Sequence, residues 1–246
     1  MSAPAAAAAG ANPYPRYTRE RPSPQYTALL GFYRDMHREG YRRRQGQAEE
    51  AIAGANAYPG DQLLHYARPI GDLIRRHGVR RLLDYGAGKG AQYRDDLLIR
   101  LPDGSAEFPG IKAYWGVQSV ECYEPALGNP PPDGRYGGVV CTDVLEHCFA
   151  GDLPWIVDEL FGLAEAFVFA NVACYPASAL LPNGENAHIT LRPAAWWQGF
   201  FEARAAQFPE CDYLLACGEI EAGGRLVNRW FPRPAYESGP RDRFSR

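Results

Sequence analysis

The segment from Leu82 to Gly90, with the sequence LLDYGAGKG, restricts the fold of this chain more than any other segment. A short apolar run ends at Asp84, and three glycines then alternate with other residues. Glycine lets a backbone turn tightly and approach a ligand closely, because it has no Cβ atom. Ligands of open α/β sheets bind outside the carboxyl ends of the strands. The segment therefore predicts a buried strand with a ligand-binding turn at its carboxyl end.

Helical and strand-like periods alternate along the rest of the chain. Helices are predicted at residues 25–44, 153–165 and 193–208. A further helix is predicted between Asp61, its N-cap, and Gly78, where it stops. Strands are predicted at residues 80–85, 117–123, 138–142 and 166–174, before a terminal hairpin of residues 213–220 and 226–231. Pro69 should kink or split the second helix, because proline lacks the amide hydrogen.

This alternation predicts an α/β fold whose sheet is mostly parallel, with the hairpin adding one antiparallel strand. The stretch from Pro125 to Tyr136 contains four prolines. They exclude the helix-strand-helix unit that a full doubly wound sheet would place there. We therefore expect the sheet to be shortened at that edge.

Length and composition predict one main domain with appendages. The chain has 246 residues, of which 46% are hydrophobic, enough for one sizeable core. The main domain is predicted at residues 79–234, behind a helical N-terminal extension at residues 25–78. Residues 1–24 are rich in Ala and Pro and predict a mobile tail, and residues 235–246 predict a second, polar tail.

The charge balance argues against nucleic acid as a partner. The 26 basic and 29 acidic side chains leave a formal charge of −3, so no field of one sign surrounds the molecule. No apolar run approaches the roughly 20 residues of a membrane helix, and the Ala-rich start lacks the features of a signal peptide. We expect a cytoplasmic protein that acts on a small molecule and binds no membrane. Its oligomeric state is not indicated.

The six cysteines form no CxxC pair and lie in mostly apolar surroundings, which predicts buried, reduced thiols. The alternative to this interpretation is a zinc site formed by His147, Cys148 and His188. No second pair of ligands follows at a typical spacing, so no metal is expected.

Asp84, just before the glycine turn, favours a ligand with a cationic head group. S-adenosylmethionine (SAM) carries an ammonium and a sulfonium and suits this acid better than a dinucleotide does. The competing interpretation is NAD or FAD, because Gly86, Gly88 and Ala91 also satisfy the G-x-G-x-x-G/A pattern. Its ribose-binding acid is expected about 20 residues on, whereas Glu124 follows Gly86 by 38 residues.

Two further acids end neighbouring predicted strands. Glu124 ends the stretch VECYEP, where a carboxylate can accept both hydrogen bonds of a ribose diol; the alternative is a solvated surface acid. Asp143, in CTDVLEH, should face the same crevice as Asp84. For Glu146 and His147, a capping role in the following segment is the alternative to a role in the site.

The order of DYGAGKG, Glu124 and TDVLEH resembles the motif series of class I SAM-dependent methyltransferases, over about residues 80–231. This resemblance implies a Rossmann-like sheet that binds SAM. Glu124 would hold the ribose and Asp143 would lie beside the sulfonium. The methionine part would contact the acid and the glycines of the turn, namely Asp84, Gly86, Gly88 and Gly90. The Pro-rich stretch after Glu124 departs from the family's pattern at the usual adenine contacts.

The whole chain resembles, more narrowly, the azetidine-2-carboxylate synthases. Members of this branch cyclise SAM itself, so that its α-amine attacks its own γ-carbon and methylthioadenosine leaves. The tyrosine-rich extension would then be a lid over the crevice; the alternative is that its aromatic rings are only core contacts. The candidate catalytic residues are Asn171, Tyr175, Asp143 and His188, although a structural loop hydrogen bond is an alternative for His188. A small-molecule methyltransferase and a non-catalytic SAM-binding module remain alternative functions.

Overall fold

The computed structural model describes residues 17–46, 48–95, 98–100, 104 and 107–232. The predicted tail at residues 235–246, and residues 1–16 of the predicted tail at 1–24, lie outside the described residues. The elements follow in the order α1 (Pro24–Glu39), β1 (Gly40–Gln45), β2 (Ala48–Ala53), α2 (Ala67–His77), β3 (Arg81–Tyr85), β4 (Leu98–Arg100), β5 (Glu107–Pro109), α3 (Ile111–Trp115), β6 (Ser119–Tyr123), β7 (Tyr136–Thr142), α4 (Leu153–Leu163), β8 (Ala164–Ala173), β9 (Ala179–Leu180), α5 (Ala194–Ala205), β10 (Asp212–Ile220) and β11 (Leu226–Pro232).

Six strands form the central sheet, in the order β11-β10-β8-β7-β3-β6. All neighbouring pairs are parallel except β10 and β11, which form an antiparallel hairpin. The α/β prediction is confirmed, and the arrangement is consistent with a Rossmann-like sheet. Strand β6 is the edge strand, and the Pro-rich stretch that follows it contributes a 3-10 turn, Pro125–Leu127, but no α-helix or further strand, so the predicted shortening is confirmed. The strand order reverses between β3 and β7, which is where open α/β sheets bind ligands.

Apolar side chains cover both faces of the sheet. Helices α4 and α5 cover one face, with Leu160, Phe161 and Trp197 fully buried. Helices α2 and α3 cover the other face through Ile70 and Ile111. Burying each large apolar side chain contributes roughly 1.5–3 kcal/mol. The two faces hold β3 and β7 rigidly, so the loops at their carboxyl ends have defined positions.

The first predicted helix is shorter than expected. Helix α1 begins after Ser23, whose Oγ accepts a hydrogen bond from the Tyr26 amide over 2.9 Å, and it ends at Glu39. Gly40 has a φ of 96°, and a Cβ atom there would overlap the carbonyl oxygen of Ile52. The expectation of a helix to Arg44 is therefore wrong, because the chain reverses at Gly40 into strand β1.

The extension also contains a small sheet that the sequence did not predict. Strand β1 pairs antiparallel with β2 and with β9. Cross-strand ion pairs, such as Arg43 with Glu50 at 2.7 Å, line the hairpin. The extension is thus a helix with a two-stranded hairpin, to which β9 of the main domain adds a third strand; this corrects the purely helical description.

The second predicted helix is split, as the proline indicated. A 3-10 turn covers Asp61–Tyr66, and α2 starts at Ala67 with Pro69 in its first turn, where proline is tolerated. Gly60, rather than Asp61, is the N-cap of the 3-10 turn, so the capping prediction for Asp61 is wrong.

All six cysteines are free, but only Cys141, Cys211 and Cys217 are fully buried. The other three are partly exposed, which corrects the expectation that every thiol is buried. Among the described residues, no helix is long and apolar enough to cross a membrane.

Candidate active site

A cavity of about 610 Å³ lies at the carboxyl edge of the central sheet, where the strand order reverses. Its volume is typical of small-molecule sites. One wall is the sheet edge, with Asp84 near the end of β3 and Asp143 directly after β7. The opposite wall is the N-terminal extension, from which Tyr33 of α1 and Tyr41 of β1 line the cavity.

Most of the predicted site residues meet in this cavity. The predicted residues that line it are Asp84, Gly86, Gly88, Glu124, Asp143, Tyr175 and His188. Gly90 and Asn171 do not line it. Gly90 packs against Cys122, whose Sγ would lie 3.2 Å from a Cβ atom at position 90. Asn171 lies within β8 and donates a hydrogen bond to the carbonyl of Ala216 over 3.3 Å. These two assignments are corrected, because strand pairing and packing use both residues.

The glycine turn is shaped by the protein itself. Gly86 and Gly88 have φ values of 83° and 58°. A Cβ atom at Gly86 would overlap the side chain of Val144, and one at Gly88 would overlap the carbonyl oxygen of Tyr58. Both positions require glycine for the close approach of these neighbours.

The backbone amides of the turn are already hydrogen-bonded within the protein. Gly86 donates to the carbonyl of Tyr123 over 2.7 Å, and Lys89 donates to the carbonyl of Tyr58 over 2.9 Å. The same holds for the other amides of the turn, those of Ala87, Gly88, Gly90 and Ala91. A 3-10 turn of three residues follows, rather than a helix. A dinucleotide pyrophosphate binds free amides at a helix N-terminus, so this geometry disfavours NAD or FAD.

Asp84 is fully buried and only partly hydrogen-bonded. Its Oδ2 accepts hydrogen bonds from Gln92 Nε2 over 3.1 Å and from the Tyr93 hydroxyl over 2.9 Å. Its Oδ1 and the Oε1 of Gln92 are buried and have no partner in the protein. Burial raises the pKa of Asp84 to about 7. The two hydrogen bonds act in the opposite direction, but their effect is smaller. We call Asp84 Oδ1 and Gln92 Oε1 the acceptor pair.

Glu124 joins the end of β6 to the glycine turn. Its Oε2 accepts a hydrogen bond from the Gly88 amide over 3.1 Å, and its Oε1 accepts one from the Ala126 amide over 3.1 Å. Burial raises the pKa of Glu124. It is therefore not a solvated surface acid. Each carboxylate oxygen has a further lone pair with which it can accept a ligand hydroxyl.

Asp143 has an uncommon backbone conformation, with a φ of 58°. Among the described residues other than glycine, only Tyr58 shares a positive φ, of 48°, and it also lines the cavity. Such conformations cost on the order of 1–3 kcal/mol and concentrate at functional sites. They place the half-exposed Asp143 carboxylate in the cavity wall.

Two histidines lie side by side next to Asp143. His188 Nδ1 lies 2.6 Å from the carbonyl oxygen of Tyr175, and His147 Nδ1 lies 3.0 Å from that of Ala187. A carbonyl oxygen only accepts, and the Tyr33 hydroxyl, 2.7 Å from His147 Nδ1, can itself donate to the Ala187 carbonyl over 3.3 Å, so we assign a proton to Nδ1 of each ring. Burial lowers the pKa of His147 to about 4, which keeps the ring neutral. Both rings then have an Nε2 lone pair.

Aromatic rings from the extension line the opposite wall. Tyr58 stacks on Tyr41 with ring centroids 5.1 Å apart and meets Tyr33 edge-on at 5.8 Å. His37 lies 5.1 Å from Tyr58, and burial lowers its pKa to about 4. Burial also raises the pKa of Tyr41. These rings are therefore neutral and offer π faces to the cavity.

Sequence reasoning missed two cavity residues, Gln92 and His37, as parts of the site. His37 follows Tyr33 by one helical turn, a spacing that places both on one face of α1. Gln92 carries no such signal, because only the fold brings it to Asp84. For His147 the sequence leaves a capping role and a role in the site open; no side-chain cap is present at its turn, and His147 lines the cavity.

Comparisons of this chain with protein-family models, with curated proteins and with solved structures found no significant match.

Proposed function

We propose that this cavity binds SAM and that the protein converts it to azetidine-2-carboxylic acid and methylthioadenosine. The acceptor pair of Asp84 and Gln92, set in a cavity whose other wall is tyrosine-rich, carries this proposal. A buried acceptor without a partner costs about 1–3 kcal/mol. An ammonium group offers three donors and would satisfy both oxygens.

The charges of the two walls fit the rest of SAM. The carboxylates of Glu124 and Asp143 lie on the sheet side of the cavity, where the resemblance to class I methyltransferases places the ribose and the sulfonium. The rings of Tyr33, Tyr41 and Tyr58 lie on the other side. A cation over an aromatic face gains roughly 0.5–2 kcal/mol, and more when it is desolvated. The pocket thus suits a ligand with two cationic centres.

Cyclisation needs an unprotonated α-amine, a bent methionine chain and exclusion of water. A free α-amine titrates near 7.7–8.0. Asp84, with its pKa raised to about 7, can take up the proton that the ammonium must lose. The nitrogen–Cγ bond then forms as the Cγ–sulfur bond breaks, and the electron pair leaves with the sulfur as a neutral thioether. One proton is released for each SAM consumed.

The N-terminal extension would act as the lid that keeps water out. The guanidinium of Arg19 donates to the hydroxyls of Tyr123, over 2.7 Å, and Tyr85, over 3.2 Å, and it pairs with Glu159. The Ser23 amide donates to Asp152 over 3.0 Å, at the start of α4. These contacts fix α1 against the main domain. Exclusion of water strengthens every electrostatic interaction inside the cavity.

A small-molecule methyltransferase is the second candidate. It is favoured by His188, which lines the cavity. The Nε2 of this ring can accept a hydrogen bond from the hydroxyl of a second substrate that receives the methyl group. This function would use the same SAM contacts but would require a second substrate. A SAM-binding module without turnover would share the contacts and give no product.

Binding is tested by calorimetry with SAM, S-adenosylhomocysteine and methylthioadenosine. SAM should bind most tightly, because only SAM has both the ammonium and the sulfonium. Methylthioadenosine lacks the amino acid and should bind most weakly. Equal affinity for all three would contradict the proposal. Incubation with SAM as the sole substrate then tests the reaction, through the appearance of azetidine-2-carboxylic acid.

A further inference from the structure

We propose that Asp143, His147 and His188 form a binding site for one divalent transition-metal ion, such as Zn²⁺. Asp143 and His147 lie four residues apart in the segment that follows β7, and His188 comes from the loop between β9 and α5. One ligand atom from each lies within 4.8 Å of the other two. The formation of this site does not rest on the proposed reaction.

The two imidazoles are already oriented as metal ligands. Metal-binding histidines almost always donate the hydrogen of their second ring nitrogen to a carboxylate, a backbone carbonyl or water. Here His188 donates to the carbonyl of Tyr175 over 2.6 Å, and His147 donates to that of Ala187 over 3.0 Å. Tyr33 adds a hydroxyl 2.7 Å from His147 Nδ1. Both Nε2 lone pairs are therefore available, and both rings are held in place.

The spacing requires only a small adjustment. The ring centroids of His147 and His188 are 4.7 Å apart, and His188 Nε2 lies 3.9 Å from Asp143 Oδ1. Zinc binds nitrogen and oxygen ligands at about 2.0–2.2 Å. The Asp143 side chain is 41% exposed, so it can rotate toward the fixed imidazoles. Asp143 is thus the ligand with the most room to adjust.

The donor set indicates the class of metal. Two imidazoles and one carboxylate hold catalytic zinc in some enzymes and ferrous iron in others, with the remaining positions open. Asp143, His147 and His188 all line the cavity, so the open side would face a small molecule there. Cys148 is outside the set, since its thiol donates to the carbonyl of Val144 over 3.5 Å. The zinc set considered from the sequence thus changes by one ligand, Asp143 in place of Cys148.

The experiment is a titration of the full chain, free of any histidine tag and stripped of metal with a chelator. Zn²⁺ and Co²⁺ are added separately, with calorimetry for both ions and the visible spectrum for Co²⁺. We expect one ion per chain with micromolar or tighter affinity. His147→Ala and His188→Ala should each weaken binding at least tenfold, and Asp143→Asn should also weaken it. The thermal melt of each metal-free variant controls for folding.

Two matched variants separate this site from other metal-binding groups. His65 is exposed and does not line the cavity, so His65→Ala should leave the affinity unchanged. Cys148→Ser should do the same. The inference is overturned if the wild type binds no ion tighter than about 1 mM. It is also overturned if folded His147→Ala and His188→Ala bind as the wild type does, or if Cys148→Ser loses the ion.

Discussion

Gln92 Nε2 donates a hydrogen bond to Asp84 Oδ2 over 3.1 Å, and this contact leaves Asp84 Oδ1 and Gln92 Oε1 as two buried acceptors without a protein partner. A fold does not gain stability from such a pair. A ligand that brings several donors would gain from it, because the cost of desolvating the acceptors is already met in the folded protein. The pair therefore favours a cationic amine over a phosphate at this end of the cavity.

Replacing Asp84 by Asn keeps the shape of the side chain and removes its charge. Hydrogen bonds to charged groups contribute about 1.5–3 kcal/mol, so Asp84→Asn should weaken SAM binding by roughly 10- to 100-fold. Calorimetry with the wild type and the variant measures the effect. Asp72→Asn is the matched control, because Asp72 is an exposed carboxylate on α2. Unchanged affinity in a folded Asp84→Asn variant would show that the amine binds elsewhere.

The raised pKa of Asp84 predicts a pH dependence of stability. Its pKa is about 7 in the folded protein, against 3.8 for an unperturbed Asp. The folded state therefore binds more protons than the unfolded state above about pH 4, and the free energy of unfolding falls as the pH rises from about 4 to 7. The loss reaches at most about 4 kcal/mol, at 1.36 kcal/mol for each unit.

Urea unfolding at pH 5 and pH 8 tests this dependence in the ligand-free protein. Asp84→Asn should gain stability relative to the wild type at pH 8 and much less at pH 5. The same measurement on Asp72→Asn should show no such pH-dependent gain. If Asp84→Asn differs from the wild type by the same amount at both values of pH, Asp84 does not titrate in this window.

The tyrosine wall should recognise the sulfonium. Tyr41→Leu removes the ring that stacks on Tyr58, so it should reduce the preference for SAM over S-adenosylhomocysteine. A cation–π contribution of roughly 0.5–2 kcal/mol corresponds to a loss of about 2- to 30-fold in the ratio of the two dissociation constants. Tyr41→Phe keeps the ring and should keep the ratio.

Tyr114→Leu provides a further control, because Tyr114 stacks on Phe108 and does not line the cavity. If Tyr41→Leu weakens the binding of both ligands equally, the ring contributes contact area and not recognition of charge.

The metal site and the sulfonium would share the carboxylate of Asp143. Two cations at close range repel each other, so Zn²⁺ should raise the apparent dissociation constant of SAM for the wild type. Chelation should restore the affinity. His147→Ala should bind SAM with little response to Zn²⁺, because it lacks one metal ligand. If SAM binds equally well with and without Zn²⁺ on a protein that is shown to hold the ion, the two ligands do not compete.

The sheet and its ligand-binding edge could be predicted because their signals are local. Strands β3, β7 and β8 are mostly apolar runs. Asp84 lies near the end of β3, and Asp143 follows β7 directly. Residues at the carboxyl ends of parallel strands lie at the same edge of the sheet, whatever conformation the loops adopt. Asn171 was misplaced for the opposite reason. It lies inside β8, where its amide bonds the backbone of the neighbouring strand.

The hairpin of the extension had no apolar alternation to reveal it. Its strands pair charged residues across the ladder, Arg43 with Glu50 and Arg44 with Glu49. A run of Arg and Glu on a predicted helix is typical of a solvated face, so the helical period was extended too far. Gln92 could not be found either, because a single polar residue without a period becomes a site residue only through the tertiary fold. His37 could have been found from its helical spacing to Tyr33.

The most direct test of the account is incubation of the purified protein with SAM alone, followed by quantification of products over time. The account predicts methylthioadenosine and azetidine-2-carboxylic acid in equal amounts, with no S-adenosylhomocysteine. The heat-denatured protein corrects for spontaneous breakdown of SAM. S-adenosylhomocysteine formed only when an acceptor is added would contradict cyclisation and support methyl transfer. SAM that is bound but remains unchanged would contradict both reactions.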